Sequence, residues 1–182
     1  MNDLELISNA NESELLALSI EDNNGVYMVP AFVGLGSPYW DNTVRASISV
    51  MTRSTKKAHV IRAALEAIAY QIKDLLDLMT TGGAGIELSE IRVDGGPTKN
   101  KFLMQFQSDM LNASIVVNDV EEVSALGAVH MAGLGTGLWQ NLDELSHLIS
   151  TKKRFEPKMQ DEVRKKSYDG WLKAVHTAIN NN

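Results

Sequence analysis

Two adjacent glycines, Gly95 and Gly96, are the residues of this sequence that most suggest ligand chemistry. A backbone without Cβ atoms can turn sharply there and can lie directly against a bound molecule. A helix that begins just after such a turn directs unpaired N–H groups and the positive end of its dipole towards the gap, which suits a nucleotide or phosphate. An ordinary strand-to-helix turn has the same pattern, so the two glycines alone leave both interpretations open.

Hydrophobic periodicity identifies the elements that position this turn. Ile91 and Val93 alternate with polar residues, as in a half-buried strand, whereas the apolar residues of segment 102–110 recur at helical spacing. Residues 114–119 predict a second strand, and residues 123–137 predict a second helix. This order predicts an α/β domain with ligand sites at the carboxyl ends of its strands.

Further elements are predicted on both sides of this unit. Asn11 and Glu14 have the spacing of a capping box at the start of a helix over residues 11–19. Segments 26–32 and 46–50 predict short strands, and residues 56–79 predict a long helix whose apolar residues recur by three and four. Alanines on that helix allow another backbone to approach it closely. We expect glycines in segment 81–85 to end it.

The terminal region predicts an amphipathic helix after Pro157, with Val163, Tyr168, Trp171, Leu172 and Val175 available for docking. Gly170 weakens that prediction slightly. Basic residues crowd positions 152–166, and the simplest interpretation is the solvated face of a helix.

Two glycine-containing stretches need separate interpretations. In the loop 34–41, Tyr39 and Trp40 either pack the loop onto the core or line a pocket, and packing is favoured. The stretch 133–137 has the glycines of a dinucleotide-binding motif, but it follows a helix instead of a strand. We therefore interpret it as a helix exit.

Composition excludes several classes of function. The formal net charge of −6 argues against a nucleic-acid partner, which would require a basic face. The absence of cysteine excludes disulfides, thiol catalysis and cysteine-bound zinc, and the 4 histidines lack metal-ligand spacing. No apolar run reaches the length of a membrane span, and no export signal follows Met1. We expect a cytoplasmic protein with no membrane partner and no metal ligands of its own.

Four ordered blocks of sequence, at residues 29–41, 59–76, 93–111 and 123–145, resemble the C-terminal domain of the FGGY family of carbohydrate kinases. Residues 164–175 resemble the last helix of that domain. The resemblance implies a ribonuclease-H-like domain of the actin-like ATPase fold, with a mixed sheet flanked by helices. Residues 1–24 would then be a lead-in with a short helix, and residues 25–182 the C-terminal nucleotide-binding domain.

The resemblance also implies roles for individual residues. Gly95 and Gly96 would lie against the adenosine and phosphate part of ATP, and Asn100 would contact the nucleotide. Residues 125–128 resemble the small-residue contact at the hinge between the two domains of the family. Glu66 ends a second family motif, where a structural polar contact is the favoured role.

The function implied by the resemblance is transfer of the γ-phosphoryl group of ATP, with Mg²⁺, to a hydroxyl of glycerol or a similar polyol or sugar. No stretch resembles the family's phosphate loop, polyol-binding residues or catalytic base, so we expect no catalytic residue here. A fragment without the N-terminal domain should be inactive alone, and the full-length protein should form a homo-oligomer. The alternatives are a kinase acting on xylulose, gluconate or dihydroxyacetone, and a non-catalytic binding module.

Three residues depart from the family pattern. Val50 stands where glycine is usual, and Pro97 stands where a small residue such as alanine or serine is usual. Proline has no N–H, so one potential phosphate donor is missing. Lys101 replaces a common second asparagine. These changes weaken an assignment of glycerol as the substrate but leave the expected fold intact.

Overall fold

The computed structural model describes residues 6–81, 88–118, 122–146, 148 and 151–181. The helices are α1 (Glu12–Leu18), α2 (Lys57–Thr81), α3 (Lys101–Leu111), α4 (Val123–Gly135), α5 (Leu142–Ser146) and α6 (Asp161–Asn180). The strands are β1 (Tyr27–Val29), β2 (Ser47–Ser49), β3 (Glu90–Val93), β4 (Ser114–Asn118) and β5 (Thr151–Phe155). A short 3₁₀ turn, Gly96–Lys99, precedes α3.

The strands form two sheets. Strands β1 and β2 make an antiparallel pair, and the second sheet has the order β3-β4-β5. Because β3 and β4 are parallel and β5 is antiparallel to β4, this second sheet is mixed. Helix α3 packs Leu103 and Met104 against Ile115 and Val117 of β4. The predicted mixed sheet flanked by helices is therefore confirmed.

Helix α2 is the centre of the core, but its most buried stripe is not the large apolar one seen in the sequence. Ile61 of that predicted stripe is buried, but Ile68, Leu75 and Met79 are exposed. The buried stripe consists of small, aromatic and acidic residues: Ala63, Glu66, Ala67, Tyr70 and Asp74. The alanines allow neighbouring elements to approach the helix, as predicted, and the exposed apolar residues stay on its other side.

The aromatic part of the core is organised around Asp74, whose side chain is 5% exposed. Tyr168 Oη donates to Oδ1 at 2.6 Å, while Tyr39 Oη and Trp171 Nε1 donate to Oδ2 at 3.0 and 2.9 Å. Burial raises the pKa of the Asp74 carboxyl, and the three donated hydrogen bonds oppose that shift. Tyr39 thus packs the loop 34–41 onto the core, as predicted, while Trp40 is exposed.

Several local predictions were wrong. Asn11 makes no side-chain cap. Its N–H, which Glu14 would bond in a capping box, donates instead to Asn9 Oδ1, and the Glu14 side chain reaches α3. Val163 of α6 is half exposed, whereas Trp171 and Val175 are buried. The basic residues before Phe155 belong to strand β5, because pairing with the apolar strand β4 outweighs their charge. The predicted glycine cap at positions 81–85 lies mostly outside the described residues.

Gly170 has a steric reason for its place within the continuous helix α6. A Cβ built there would lie 2.1 Å from Tyr27 Oη and 2.4 Å from Cζ of the same ring. The Tyr27 ring cannot move away freely, because its hydroxyl donates to the Ser167 carbonyl at 3.1 Å and its ring contacts Tyr70. The glycine therefore permits β1 and α6 to pack closely.

Replacing Gly170 with alanine is expected to lower the free energy of unfolding by about 1–3 kcal/mol, the usual cost of overpacking a core. The matched control is Gly127→Ala in α4, where an added Cβ meets nothing within 4 Å. That change should raise stability by about 0.5–1 kcal/mol, because alanine loses less backbone entropy in a helix. Urea unfolding of both variants measures the two effects, and the same sign for both would contradict the steric explanation.

Val50 has the backbone conformation that explains why the family usually has glycine there. Its φ is 63°, in the left-handed region, where a β-branched side chain is strained. The side chain is 62% exposed, so little burial offsets the strain. The departure from the family pattern therefore costs stability without changing the fold.

Replacing Val50 with glycine is expected to stabilise the chain by about 0.5–1 kcal/mol, because the relieved left-handed strain of about 1–2 kcal/mol exceeds the entropy cost of glycine. Replacing Ile48, which lies within β2, with glycine serves as the control and should destabilise. Thermal unfolding distinguishes the two. A loss of stability in Val50→Gly would show that the left-handed backbone carries no strain.

Candidate functional site

The glycine turn connects the carboxyl end of β3 to α3, as the sequence predicts. Gly95 has φ 90° and ψ 174°, a conformation that side chains rarely adopt, so its glycine is required by the backbone. Gly96 is different, because a Cβ built on it meets nothing within 4 Å. The space beside Gly96 is open, which leaves room for another molecule to lie against its backbone.

A groove with a volume of about 670 Å³ opens beside this turn. Three elements form its walls: α1, α2 and the segment from the 3₁₀ turn into α3. The lining residues are Ala10, Asn11, Ser13, Glu14, Leu65, Ile68, Gly96, Pro97, Lys99, Asn100 and Leu103. Of the predicted site residues, Gly96 and Asn100 line the groove, and Gly95 shapes the turn beside them.

Asn100 joins two walls of the groove. It is the N-cap of α3, and its Oδ1 accepts a hydrogen bond from the Leu103 N–H at 2.9 Å. Its Nδ2 donates to Ser13 Oγ of α1 at 3.2 Å. The side chain predicted to contact a nucleotide therefore already stabilises the start of α3 and its contact with α1.

The start of α3 is less available to an anion than the sequence suggests. The Lys101 N–H donates to Glu14 Oε2 at 3.1 Å, and the Leu103 N–H is bonded by Asn100. The prediction of unpaired N–H groups is wrong for these two groups, because carboxylate and amide oxygens of the chain satisfy them. A negatively charged group placed here would also face the Glu14 carboxylate.

The groove combines an apolar side with a polar rim. Leu65, Ile68 and Leu103 supply the apolar surface, while Ser13 and Glu14 supply hydroxyl and carboxylate oxygens. Ligand pockets of about 300–1,000 Å³ with a few convergent polar groups suit a flat, partly polar small molecule. The shape and chemistry fit a nucleoside, whose ring can lie on aliphatic side chains while its hydroxyls and amines reach the rim.

Glu66 of α2 has the structural role favoured from the sequence. Its side chain is buried, with Arg62 Nε donating to Oε1 at 2.8 Å and Asn23 Nδ2 donating to Oε2 at 2.7 Å. Burial raises the pKa of the Glu66 carboxyl, while the arginine and the asparagine oppose that shift. With its oxygens engaged in this way, Glu66 is a structural contact between elements.

Within the described part of the chain, no three histidine, aspartate or glutamate side chains lie close enough together to hold a metal ion. Of the described helices, none combines the length and apolar character that a membrane span requires.

The fold and the groove together place the chain among ribonuclease-H-like domains of the actin-like ATPase fold, the fold of the solved kinase structures that it matches. Residues 2–136 match the model of the C-terminal domain of the FGGY family of carbohydrate kinases. The chain belongs to that family.

Known relatives are similar over nearly the whole chain. It is 49% identical to the glycerol kinase of Thermus thermophilus and 50% identical to that of Geobacillus kaustophilus strain HTA426, in each case over 97% of this chain and 35% of the relative. The crystal structure of Plasmodium falciparum glycerol kinase with ADP has a TM-score of 0.89 at 42% identity, covering 97% of this chain and 35% of that one. The chain thus spans about a third of the length of these relatives.

Some groove residues were not predicted from the sequence. Glu14 was expected to cap its own helix, and Leu65 and Ile68 were expected only to form the apolar side of a helix. The signal that could have identified Leu65 and Ile68 is the apolar stripe of α2, which continues on a side of the helix where no partner element is predicted. Ser13 carried no recognisable signal, because its role depends on α3, which lies far along the chain.

Replacing Asn100 with alanine is expected to lower the free energy of unfolding by about 1–2 kcal/mol, because both the α3 cap and the Ser13 hydrogen bond are lost. Asn100→Asp retains the oxygen that caps Leu103 and should cost less. Chemical denaturation of both variants separates the cap from the contact with α1. Equal losses would show that the cap contributes nothing measurable.

Proposed function

We propose that this chain is the nucleotide-binding half of an ATP-dependent kinase that phosphorylates glycerol or a similar polyol. The observation that supports this most directly is the groove beside Gly95 and Gly96, in a chain that belongs to a carbohydrate kinase family. The relative solved with ADP is 42% identical over 97% of this chain. We propose that Gly95, Gly96 and Asn100 form the adenosine-facing wall.

The geometry suggests how the chain would contribute to phosphoryl transfer. The reaction depends on positioning the nucleotide, neutralising phosphate charge and orienting the attacking hydroxyl. The groove could perform the first task by holding the nucleoside between Gly96 and the aliphatic side chains of α2. Because Lys101 and Leu103 have their N–H groups bonded within the chain, the phosphates would extend away from the start of α3.

Mg²⁺ would be bound chiefly through the nucleotide phosphates, as is usual for this ion, and would neutralise their charge. That arrangement is compatible with the lack of a metal-ligand cluster in the described residues. The catalytic base and the polyol-binding residues would lie on the remaining part of a longer protein, which we propose as the partner of this domain.

Exposed apolar residues of α4 suit that partner. Val129 and Met131 are each more than half exposed, and Gly127 is open to close approach. Exposed apolar side chains on a helix rich in small residues favour contact with another domain. We propose that the full-length protein is a cytoplasmic homo-oligomer.

Glycerol is favoured over other substrates because the named glycerol kinases are about half identical to this chain. The xylulose kinase of Rhodospirillum rubrum, at 21% identity and a TM-score of 0.75, supports only the common fold. Xylulose, gluconate and dihydroxyacetone remain the alternative substrates. A substrate panel on the full-length protein separates them, and a protein that binds ATP without transferring phosphate would be the non-catalytic module.

ADP titrated into the chain is expected to shift the NMR resonances of Gly95, Gly96, Leu65 and Ile68. Gly96→Val should weaken binding by about tenfold or more, equivalent to about 1.4 kcal/mol, because its side chain fills the open space against which the nucleoside would lie. The control is Gly127→Val, which places the same side chain on α4. Shifts confined to α6, or equal affinities for both variants, would contradict the proposed site.

The chain incubated with ATP, Mg²⁺ and glycerol is expected to produce no glycerol phosphate, whereas the full-length protein should produce it. Measurable transfer by the chain alone would show that the catalytic groups lie within these 182 residues.

A further inference from the structure

We propose that Arg62 is a positioning residue for nucleotide binding, because it holds α1 in place as one wall of the groove. This inference rests on the proposed function of the groove. Arg62 does not line the groove itself. It would act through α1, which contributes Asn11, Ser13 and Glu14 to the lining.

Helix α1 depends on the rest of the protein for its position. It has only 7 residues, and isolated helices shorter than about 12–15 residues are marginal in water. Leu15 and Leu18, the large apolar residues on its outer side, are 72% and 58% exposed. The most buried residue of α1 is Ala17, which is 0% exposed but has a small side chain. Leu16, the remaining large apolar residue of α1, is only partly buried, so burial of large apolar side chains contributes modestly to holding this helix.

Arg62 supplies the main polar attachment at the C-terminal end of α1. Its Nη1 donates to the Ile20 carbonyl at 2.8 Å and lies 3.4 Å from the Ala17 carbonyl. These carbonyls include groups that the end of a helix leaves without intrahelical partners. The guanidinium also lies over the Phe102 ring of α3, 4.9 Å from its centroid. One side chain thus connects α1, α2 and α3.

Glu66 fixes the orientation of this guanidinium. The hydrogen bond from Arg62 Nε to Glu66 Oε1, at 2.8 Å, leaves the Nη1 group directed at α1. The two side chains are 15% and 4% exposed, so water competes little for the pair. Asn23 bonds the other Glu66 oxygen and also accepts from the Gly25 N–H, which ties the turn after α1 to the same network.

Displacement of α1 would reach the groove directly. Ser13 Oγ accepts from Asn100, and the Glu14 carboxylate caps the Lys101 N–H. If α1 moves away, the groove loses one wall and the start of α3 loses two partners. Arg62 would therefore affect nucleotide affinity without touching the nucleotide.

The test is ADP binding by the double variant R62Q/E66Q, in which both buried charges are removed so that neither is left unpaired. We expect the Kd for ADP to rise by about tenfold, which corresponds to 1.4 kcal/mol. Hydrogen exchange should become faster at the amides of α1, and ADP should slow it less than in the wild type.

Arg164 provides a matched control. Its side chain is 14% exposed, and it bonds the Asp109 carbonyl, Asn112, the Met159 carbonyl and Asp161. It joins the far end of α3 to the segment before α6, away from the groove. Arg164→Gln should lower stability but leave the Kd for ADP and the exchange of α1 unchanged.

The outcomes distinguish this inference from the function on which it rests. If the wild-type chain binds no ADP, the proposed function fails, and the inference fails with it. If the wild type binds and R62Q/E66Q binds equally well, only the positioning role is overturned. Should the double variant not fold, Arg62→Lys retains the charge beside Glu66 without the forked donor, and an unchanged Kd in that variant overturns the role equally.

Discussion

Two buried carboxylates on one face of α2 determine how the other elements are arranged. Glu66 and Asp74 lie two helical turns apart, with Tyr70 between them, and both are nearly inaccessible to water. A buried carboxylate is costly unless hydrogen-bond donors surround it. Glu66 accepts from Arg62 on α2 itself and from Asn23 in the turn after α1. The donors to Asp74, which are Tyr39, Tyr168 and Trp171, all come from elements distant in sequence. The hydrogen bonds to these two carboxylates fix the turn after α1, the loop 34–41 and helix α6 against α2.

The sequence predicts those parts of the structure that depend on local patterns. The strand, glycine turn and helix around Gly95 are such a case, because a period of two, a turn and a period of 3.6 follow one another directly. The basic strand β5 was missed, because its pairing with β4 is a long-range contact that no local pattern encodes. The capping box at Asn11 failed for the same reason, since Glu14 has a better partner in α3.

The site shows the same division between local and distant information. Gly95 and Gly96 could be proposed from the sequence only together with the surrounding blocks that resemble a known family, because a glycine pair after a strand also occurs in ordinary turns. The opposite wall could not, because α1 is held at the groove by Arg62, Asn100 and Lys101, which all lie far along the chain. The sequence also suggested an anion site at α3, where the chain supplies the carboxylate of Glu14 instead. The start of α3 is therefore better suited to an uncharged group than to an anion.

The three hydrogen bonds of Asp74 also bear on the order in which this chain can fold. Its partners Tyr168 and Trp171 are 94 and 97 residues away in sequence. During synthesis, which runs from the N-terminus, α2 leaves the ribosome long before α6 exists. Until α6 docks, Asp74 has to remain hydrated or protonated, so the aromatic core around α2 cannot close. The docking of α6 therefore completes the core, and folding of the α2 face is coupled to the last helix of the chain.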